Sequence, residues 1–178
     1  MPATRPSEPL TLQSFGDISR FLREGVADED SRQLRDSLGA LSLQIDEAVR
    51  TRRTSTDTAD ITRRVAALSH SVREHQLFLT GLGSAWHALY EFGAYQRALR
   101  ELRKAIADWQ KMLERRSARE SASFDQFELL AWRTLGEALL LVDMYEYQSS
   151  PHSELPQESS RKGSALQRAR AWLRRLRG

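Results

Sequence analysis

Apolar residues recur at alternating steps of four and three through residues 57–92, and this is the most regular pattern in the chain. Because this spacing places the side chains on one narrow helical stripe, it predicts a long α-helix whose stripe packs against partner helices. Gly81 and Gly83 lie inside the stretch and are compatible with a kink or a break near Leu82, and the continuing period favours a kink over a loop there. The stripe consists of Ile61, Val65, Leu68, Val72, His75, Leu79, Leu82, Trp86 and Leu89.

A second heptad stripe precedes the first and predicts a helix from about residue 28 to about residue 53. The acidic residues at its start suit the positive end of the helix dipole. The polar residues 54–57 separate the two helices and offer good N-caps, so we expect an antiparallel hairpin in which residues 34–48 lie along residues 61–79. The second stripe consists of Leu34, Leu38, Leu41, Ile45 and Ala48.

The flanking segments carry further helical patterns. Residues 12–22 predict a short first helix, capped by Thr11 and ended by Gly25, that covers the end of the bundle. Gly93 is expected to end the long helix and to lead directly into a fourth one. Residues 124–147 are the most apolar segment, which predicts a helix that is central in the bundle or buries a second face against another chain.

The residues around Gly93 resemble the later part of a tetratricopeptide repeat, in which a Gly-x-Tyr-x-x-Ala turn links two antiparallel helices. The residues that carry this resemblance are Trp86, Leu89, Gly93, Tyr95, Ala98, Leu102, Ala105 and Ile106. Two features depart from the family: Trp86 stands where a small residue is usual, and the repeat spacing is about 50 residues instead of about 34. The opening of a second repeat is suggested by Trp132, Leu135, Gly136 and Leu139.

The resemblance implies binding of a partner protein in a concave groove, including escort of a secreted substrate. A general helical bundle with a chance match is the alternative to a true repeat. The groove would be lined by aromatic and leucine side chains, for each of which an ordinary place in the core is the alternative. These residues are Trp86, Leu89, Phe92, Tyr95, Trp132 and Leu139.

The patterns together predict an all-α protein built as a helical bundle. Residues 1–10, which contain three prolines, are expected to be a flexible arm. Residues 11–80 are expected to form the coiled-coil-like heptad hairpin. Residues 81–178 are expected to form the tetratricopeptide-like half, with a loop at residues 149–160 and a basic helix after it.

Basic residues are concentrated at the C-terminal end. The chain holds 27 Lys and Arg against 24 Asp and Glu, a net charge of +3. The last helix carries cations and no acid, so we expect it either to be a solvated amphipathic face or to bind nucleic-acid phosphates or an anionic membrane surface. These cations are Arg161, Lys162, Arg168, Arg170, Arg174, Arg175 and Arg177.

No catalytic or cofactor motif is recognisable in the sequence. There is no cysteine, and the spacing of His70, His75 and His87 does not set two imidazoles on one helical face, as a metal site needs. We therefore predict no enzymatic activity, no metal and no cofactor. His75 is interpreted as a satisfied, partly buried polar group in the apolar stripe that gives pH dependence or fixes the register.

The function expected from these features is non-catalytic protein–protein interaction, as an adaptor, a scaffold or a chaperone-like subunit. The partner would be another protein chain, or a second copy in a homodimer, bound through the groove or the heptad face. The alternative is binding of nucleic acid or an anionic surface through the basic C-terminal helix. The chain has no apolar run of about eighteen residues and no secretory signal, which favours the cytoplasm.

Overall fold

The computed structural model describes residues 12–24 and 29–149, and in these ranges the chain forms six α-helices and no strand. The all-α helical bundle expected from the sequence is therefore confirmed. No described helix combines the length and the hydropathy that are needed to span a bilayer. The helices are α1 (Phe15–Glu24), α2 (Glu29–Thr54), α3 (Thr58–Thr80), α4 (Ser84–His87), α5 (Tyr90–Glu114) and α6 (Glu120–Ser149).

The four long helices form an antiparallel bundle. α2 packs beside α3, α3 beside α5, α5 beside α6, and α6 closes the ring against α2. Arg35 in the first half of α2 pairs with Glu146 near the end of α6. Arg52 near the end of α2 pairs with Glu120 at the start of α6, which fixes the antiparallel direction of the two helices.

The predicted heptad hairpin is present as α2 and α3. Both stripes, residues 34–48 of α2 and residues 61–79 of α3, are buried at their heptad positions. Asp57 caps α3 by accepting a hydrogen bond of 2.9 Å from the backbone N–H of Ala59, as the polar segment between the helices predicted. Leu82, Trp86 and Leu89, which continue the α3 period in the sequence, lie beyond the end of that helix.

The prediction of a kinked helix through residues 57–92 is wrong. α3 ends at Thr80, a turn follows, and a single helical turn, α4, leads to α5 at Tyr90. The break brings Trp86 into the bundle, where its ring is buried and stacks on Tyr145 of α6 with centroids 3.5 Å apart. A helix that continued straight on would carry Trp86 away from α6 and would prevent α5 from returning beside α3.

The predicted turn at Gly93 is also wrong. Gly93 lies inside α5, and none of the glycines that the structure describes has a positive φ. The stretch from Gly93 to Ile106, which carries much of the tetratricopeptide resemblance, is thus part of one continuous helix. The described helices give no evidence for tetratricopeptide-like repeats.

α1 lies outside the bundle of four long helices and packs on α2. The Oγ of Ser19 donates a hydrogen bond of 2.7 Å to the carbonyl of Gly39. A Cβ added at Gly39 would lie 3.2 Å from the Arg23 side chain, so the glycine permits this close approach. Phe15 also stacks on Trp132 of α6, at 4.1 Å between ring centroids. The second apolar face of α6 is therefore covered in part by the same chain.

The start of α1 differs from the expected cap at Thr11, which lies outside the described residues. The helix begins after Ser14, whose Oγ accepts a hydrogen bond from the backbone N–H of Asp17. The Asp17 carboxylate accepts from the N–H of Ser14 in return, which is a reciprocal capping box. The predicted arm and the basic C-terminal helix also lie outside the described residues, as does the predicted loop at residues 149–160 except for Ser149, which ends α6.

Candidate functional site

The six predicted groove residues do not line one groove. Trp86, Leu89, Phe92 and Tyr95 are buried in the core, where a partner cannot reach them unless the bundle opens. Trp132 and Leu139 are half-buried and pack against that core. Partner contact at these positions stays a prediction, and the described surface offers a different candidate.

A cleft of about 410 Å³ lies between α1, α2 and α3. It forms because α1 and α3 both pack on α2 and leave part of its surface uncovered between them. Its floor is a two-turn stretch of α2 that mixes small, apolar and polar side chains, and about 10 Å separate its ends at about 1.5 Å per residue. The floor residues are Ser37, Ala40, Leu41, Leu43 and Gln44.

Ionisable side chains of opposite sign stand at the two sides of the cleft. Arg23 projects from the end of α1, and Glu74 projects from α3. Ser71 and Phe78, one turn before and after Glu74, complete the α3 side, so an apolar ring lies beside the carboxylate. The cleft can therefore contact apolar, cationic and anionic groups of a bound molecule together.

His75 connects the cleft with the core. Its Nδ1 lies 2.7 Å from the Oγ of Ser37 at the floor, and its Nε2 lies 2.6 Å from the hydroxyl of Tyr95 in α5. Burial lowers the pKa of His75 from 6.5 to about 4 and raises the pKa of the Tyr95 hydroxyl above its ordinary value. The ring is thus neutral near pH 7, with one nitrogen donating and the other accepting a hydrogen bond.

The Ser37–His75–Tyr95 network connects three helices, α2, α3 and α5, through side-chain hydrogen bonds. Among the described residues, no buried side-chain polar atom lacks a hydrogen-bond partner. The interpretation of His75 as a satisfied buried polar group is therefore confirmed.

The two other histidines in the described ranges do not take part in this network. His70 lies on the exposed side of α3, 3.4 Å from the carboxylate of Glu74, and His87 packs against Phe92 at 4.4 Å between ring centroids. Within residues 12–24 and 29–149, no cluster of three or more His, Asp or Glu side chains could hold a metal ion.

His75 can be recognised in the sequence, but the cleft cannot. A histidine at a heptad position is visible as a polar interruption of an apolar stripe. The floor residues Ser37, Ala40 and Gln44 look like an ordinary solvent-facing side of α2 in the sequence. Only the placement of α1 beside α3 makes them the floor of a concave surface.

The predicted anion-binding residues of the C-terminal helix, from Arg161 to Arg177, lie outside the described residues, so their role stays a prediction. Comparison with known proteins adds no relative: the chain matches no protein-family model, no curated protein and no solved structure.

Proposed function

We propose that this protein is a non-catalytic binding module, an adaptor or chaperone-like subunit, that holds an amphipathic segment of another protein in the cleft between α1, α2 and α3. The observation that carries the proposal is the cleft of about 410 Å³ with its mixed floor and its two opposite charges. Ligand clefts commonly have volumes of about 300 to 1,000 Å³, which is enough for several side chains.

The lining favours a short amphipathic segment as the occupant. Leu41 and Leu43 of α2 and Phe78 of α3 offer apolar contact to one face of such a segment. Arg23 and Glu74 would pair with an acid and a base at its edges, and paired charges set orientation and specificity more than affinity. A two-turn floor matches about two turns of a bound helix, which is a common way for proteins to recognise peptides.

A rigid floor supports the same function. Ser37 and His75 both line the cleft, and their hydrogen bond connects α2 with α3 while Tyr95 connects the ring to α5. Since a surface that is already ordered loses less conformational entropy on binding, this network would favour affinity. The cytoplasmic setting expected from the sequence belongs to the proposal, and fractionation of cells that express the tagged chain checks it.

The test blocks the cleft at Ala40, an exposed floor residue. Ala40→Arg places a long cation over the floor without disturbing the core, and Ala66→Arg at an exposed position of α3 is the matched control. The tagged full-length variants are purified from the native lysate after nuclease treatment, and thermal melts check that both fold. One stoichiometric partner that is retained by wild type and Ala66→Arg, and weakened at least tenfold by Ala40→Arg, supports the proposal.

Crosslinking from a photoreactive residue at position 40 identifies the occupant. A crosslink to the partner peptide supports the proposal. A crosslink to the chain's own C-terminal segment would show that the cleft is occupied by an intramolecular contact instead of another protein. A crosslink to a second copy in purified protein would show a homodimeric contact instead. Equal partner retention by both arginine variants would overturn the proposed use of the cleft.

A further inference from the structure

The outer face of α5 carries a row of exposed cations. They recur at steps of three, four, seven and four residues, so they share one face of the helix along about 27 Å at about 1.5 Å per residue. We call this row the α5 cationic stripe. It consists of Arg97, Arg100, Lys104 and Lys111 on α5 and of Arg115, the residue that caps the C-terminal end of the helix.

Neighbouring side chains show that the stripe points away from the bundle. On one side of it, Arg103 donates a hydrogen bond to Gln76 of α3. On the other side, Glu101 pairs with Arg133 of α6 at 3.0 Å. The stripe runs between these two lateral contacts and is turned toward solvent.

The stripe is not neutralised in the way that three arginines of α2 are. Arg35, Arg52 and Arg53 each pair with a carboxylate of α6 at 2.6 Å. No stripe residue forms an ion pair with any residue in the described part of the chain. Asp108 lies between Lys104 and Lys111 on α5 and offsets one of the five charges.

The turn after α5 extends the positive charge. Arg116 adopts a φ of 47°, the left-handed conformation in which glycine is favoured, and closes the helix with hydrogen bonds from the N–H of Arg116 to Leu113 and from the N–H of Ser117 to Met112. An arginine at this position adds backbone strain, and its exposed side chain, like that of Arg119, adds positive charge in the turn that follows α5.

The geometry points to a second binding surface: the α5 cationic stripe binds the phosphate backbone of nucleic acid without reading its sequence. A straight row of cations that form no ion pair within the described residues fits an extended polyanion, and phosphate contacts of this kind depend steeply on salt. Tyr90, two helical turns before Arg97 on the same face, is 78% exposed and offers a ring on which a base can stack.

A membrane surface fits the stripe less well. Helices that bind membranes through cations insert large apolar side chains beside them. Of the four large, exposed hydrophobic residues in the described ranges, only Tyr90 lies on α5. The inference is independent of the proposed protein-binding cleft, which is formed by α1, α2 and α3.

The test uses the full chain and a matched change of charge. The stripe variant is Arg100→Gln, Lys104→Gln and Lys111→Gln, all at exposed helical positions. The control variant, Arg20→Gln, Arg32→Gln and Arg63→Gln, removes the same charge from exposed positions on α1, α2 and α3. Fluorescence anisotropy with a labelled single strand and a labelled duplex, over about 50 to about 300 mM salt, gives the affinities and their salt slopes.

We expect the stripe variant to bind at least one probe roughly tenfold more weakly than wild type at low salt. The slope of its log affinity against log salt concentration should be smaller by about two to three. The affinity of the control variant should stay within about twofold of the wild-type value. The C-terminal cations are present in every variant and contribute equally. Equal affinities for the stripe variant and the control would overturn the inference. Binding of wild type to phosphatidylserine vesicles but to neither nucleic acid would also overturn it.

Discussion

At the scale of single residues, His75 shows how a polar group is accommodated in an apolar seam. Both ring nitrogens have hydrogen-bond partners, Ser37 and Tyr95, so the neutral ring leaves no donor or acceptor unsatisfied. Because burial disfavours the charged ring, the pKa of His75 falls from 6.5 to about 4. Protonation of this residue at acid pH is therefore expected to destabilise the contact between the three helices that it connects.

Acidification should destabilise the fold through His75. The folded-state pKa lies below the unfolded-state value of about 6.5, so the stabilisation is complete above about pH 6.5 and is lost as the pH falls toward about 4. Between about pH 7.5 and about pH 5, we expect a loss of about 2 kcal/mol in the free energy of unfolding, measured by urea denaturation. His75→Gln, which cannot titrate, is the control and should show a flatter pH profile. Identical profiles for the two proteins would contradict this assignment.

At the scale of elements, the break after α3 is the main departure from the periodic pattern. Gly81 and Gly83 mark it in the sequence, but Gly81 has φ −85° and Gly83 has φ −62°, values that any residue adopts. The buried stack of Trp86 on Tyr145 is a stronger reason for the chain to leave the helix here. We therefore expect burial of this aromatic side chain, more than the two glycines, to end the helix here.

Substitution at the break should separate these two causes. Gly81→Ala with Gly83→Ala should change the free energy of unfolding by less than about 1 kcal/mol, since an added Cβ has ordinary room at both sites. Trp86→Ala should cost about 3 to 5 kcal/mol, because it removes a buried ring. Denaturant melts of both variants provide the comparison. A double-alanine variant as unstable as Trp86→Ala would show that glycine flexibility makes the break.

At the scale of the whole molecule, ion pairs between α2 and α6 join segments that are distant in the sequence. Arg35 binds Glu146 through two nitrogens, at 2.6 and 2.9 Å. At the other end of α2, Arg52 and Trp109 donate hydrogen bonds to Glu120. Burial raises the pKa of Glu120, but these hydrogen bonds outweigh it and hold the pKa below its ordinary value. The two ends of the bundle are therefore fixed by charged contacts.

A double-mutant cycle measures how much one such contact contributes. Arg35→Ala and Glu146→Ala should show a coupling energy of about 1 to 3 kcal/mol, because the Arg35 side chain is only 9% exposed. Arg133 and Glu101, both 52% exposed, form the control pair and should couple by less than about 0.5 kcal/mol. Equal couplings for the two pairs would mean that burial does not strengthen the α2–α6 contact.

The local features of this protein follow directly from its pattern of apolar and polar residues. Apolar spacing predicted the all-α class, the hairpin of α2 and α3, the cap at Asp57 and the satisfied His75, because each depends on which side chains share a helical face or lie within one turn. The charges of the α5 stripe can also be read in the sequence. Their exposure depends in addition on which face of α5 enters the bundle, and packing against α3 and α6 sets that face.

The positions at which the chain reverses and the surfaces that remain open depend on packing between distant segments. The heptad period continues past Thr80 because Leu82, Trp86 and Leu89 still pack against the core, although they are no longer on α3. The apolar period indicates which residues are buried. Buried residues can lie on one long helix or on a shorter helix and the turn that follows it, so the period does not distinguish the two. The cleft likewise exists because α1 and α3 pack on the same helix, and such long-range packing has no signature in local spacing.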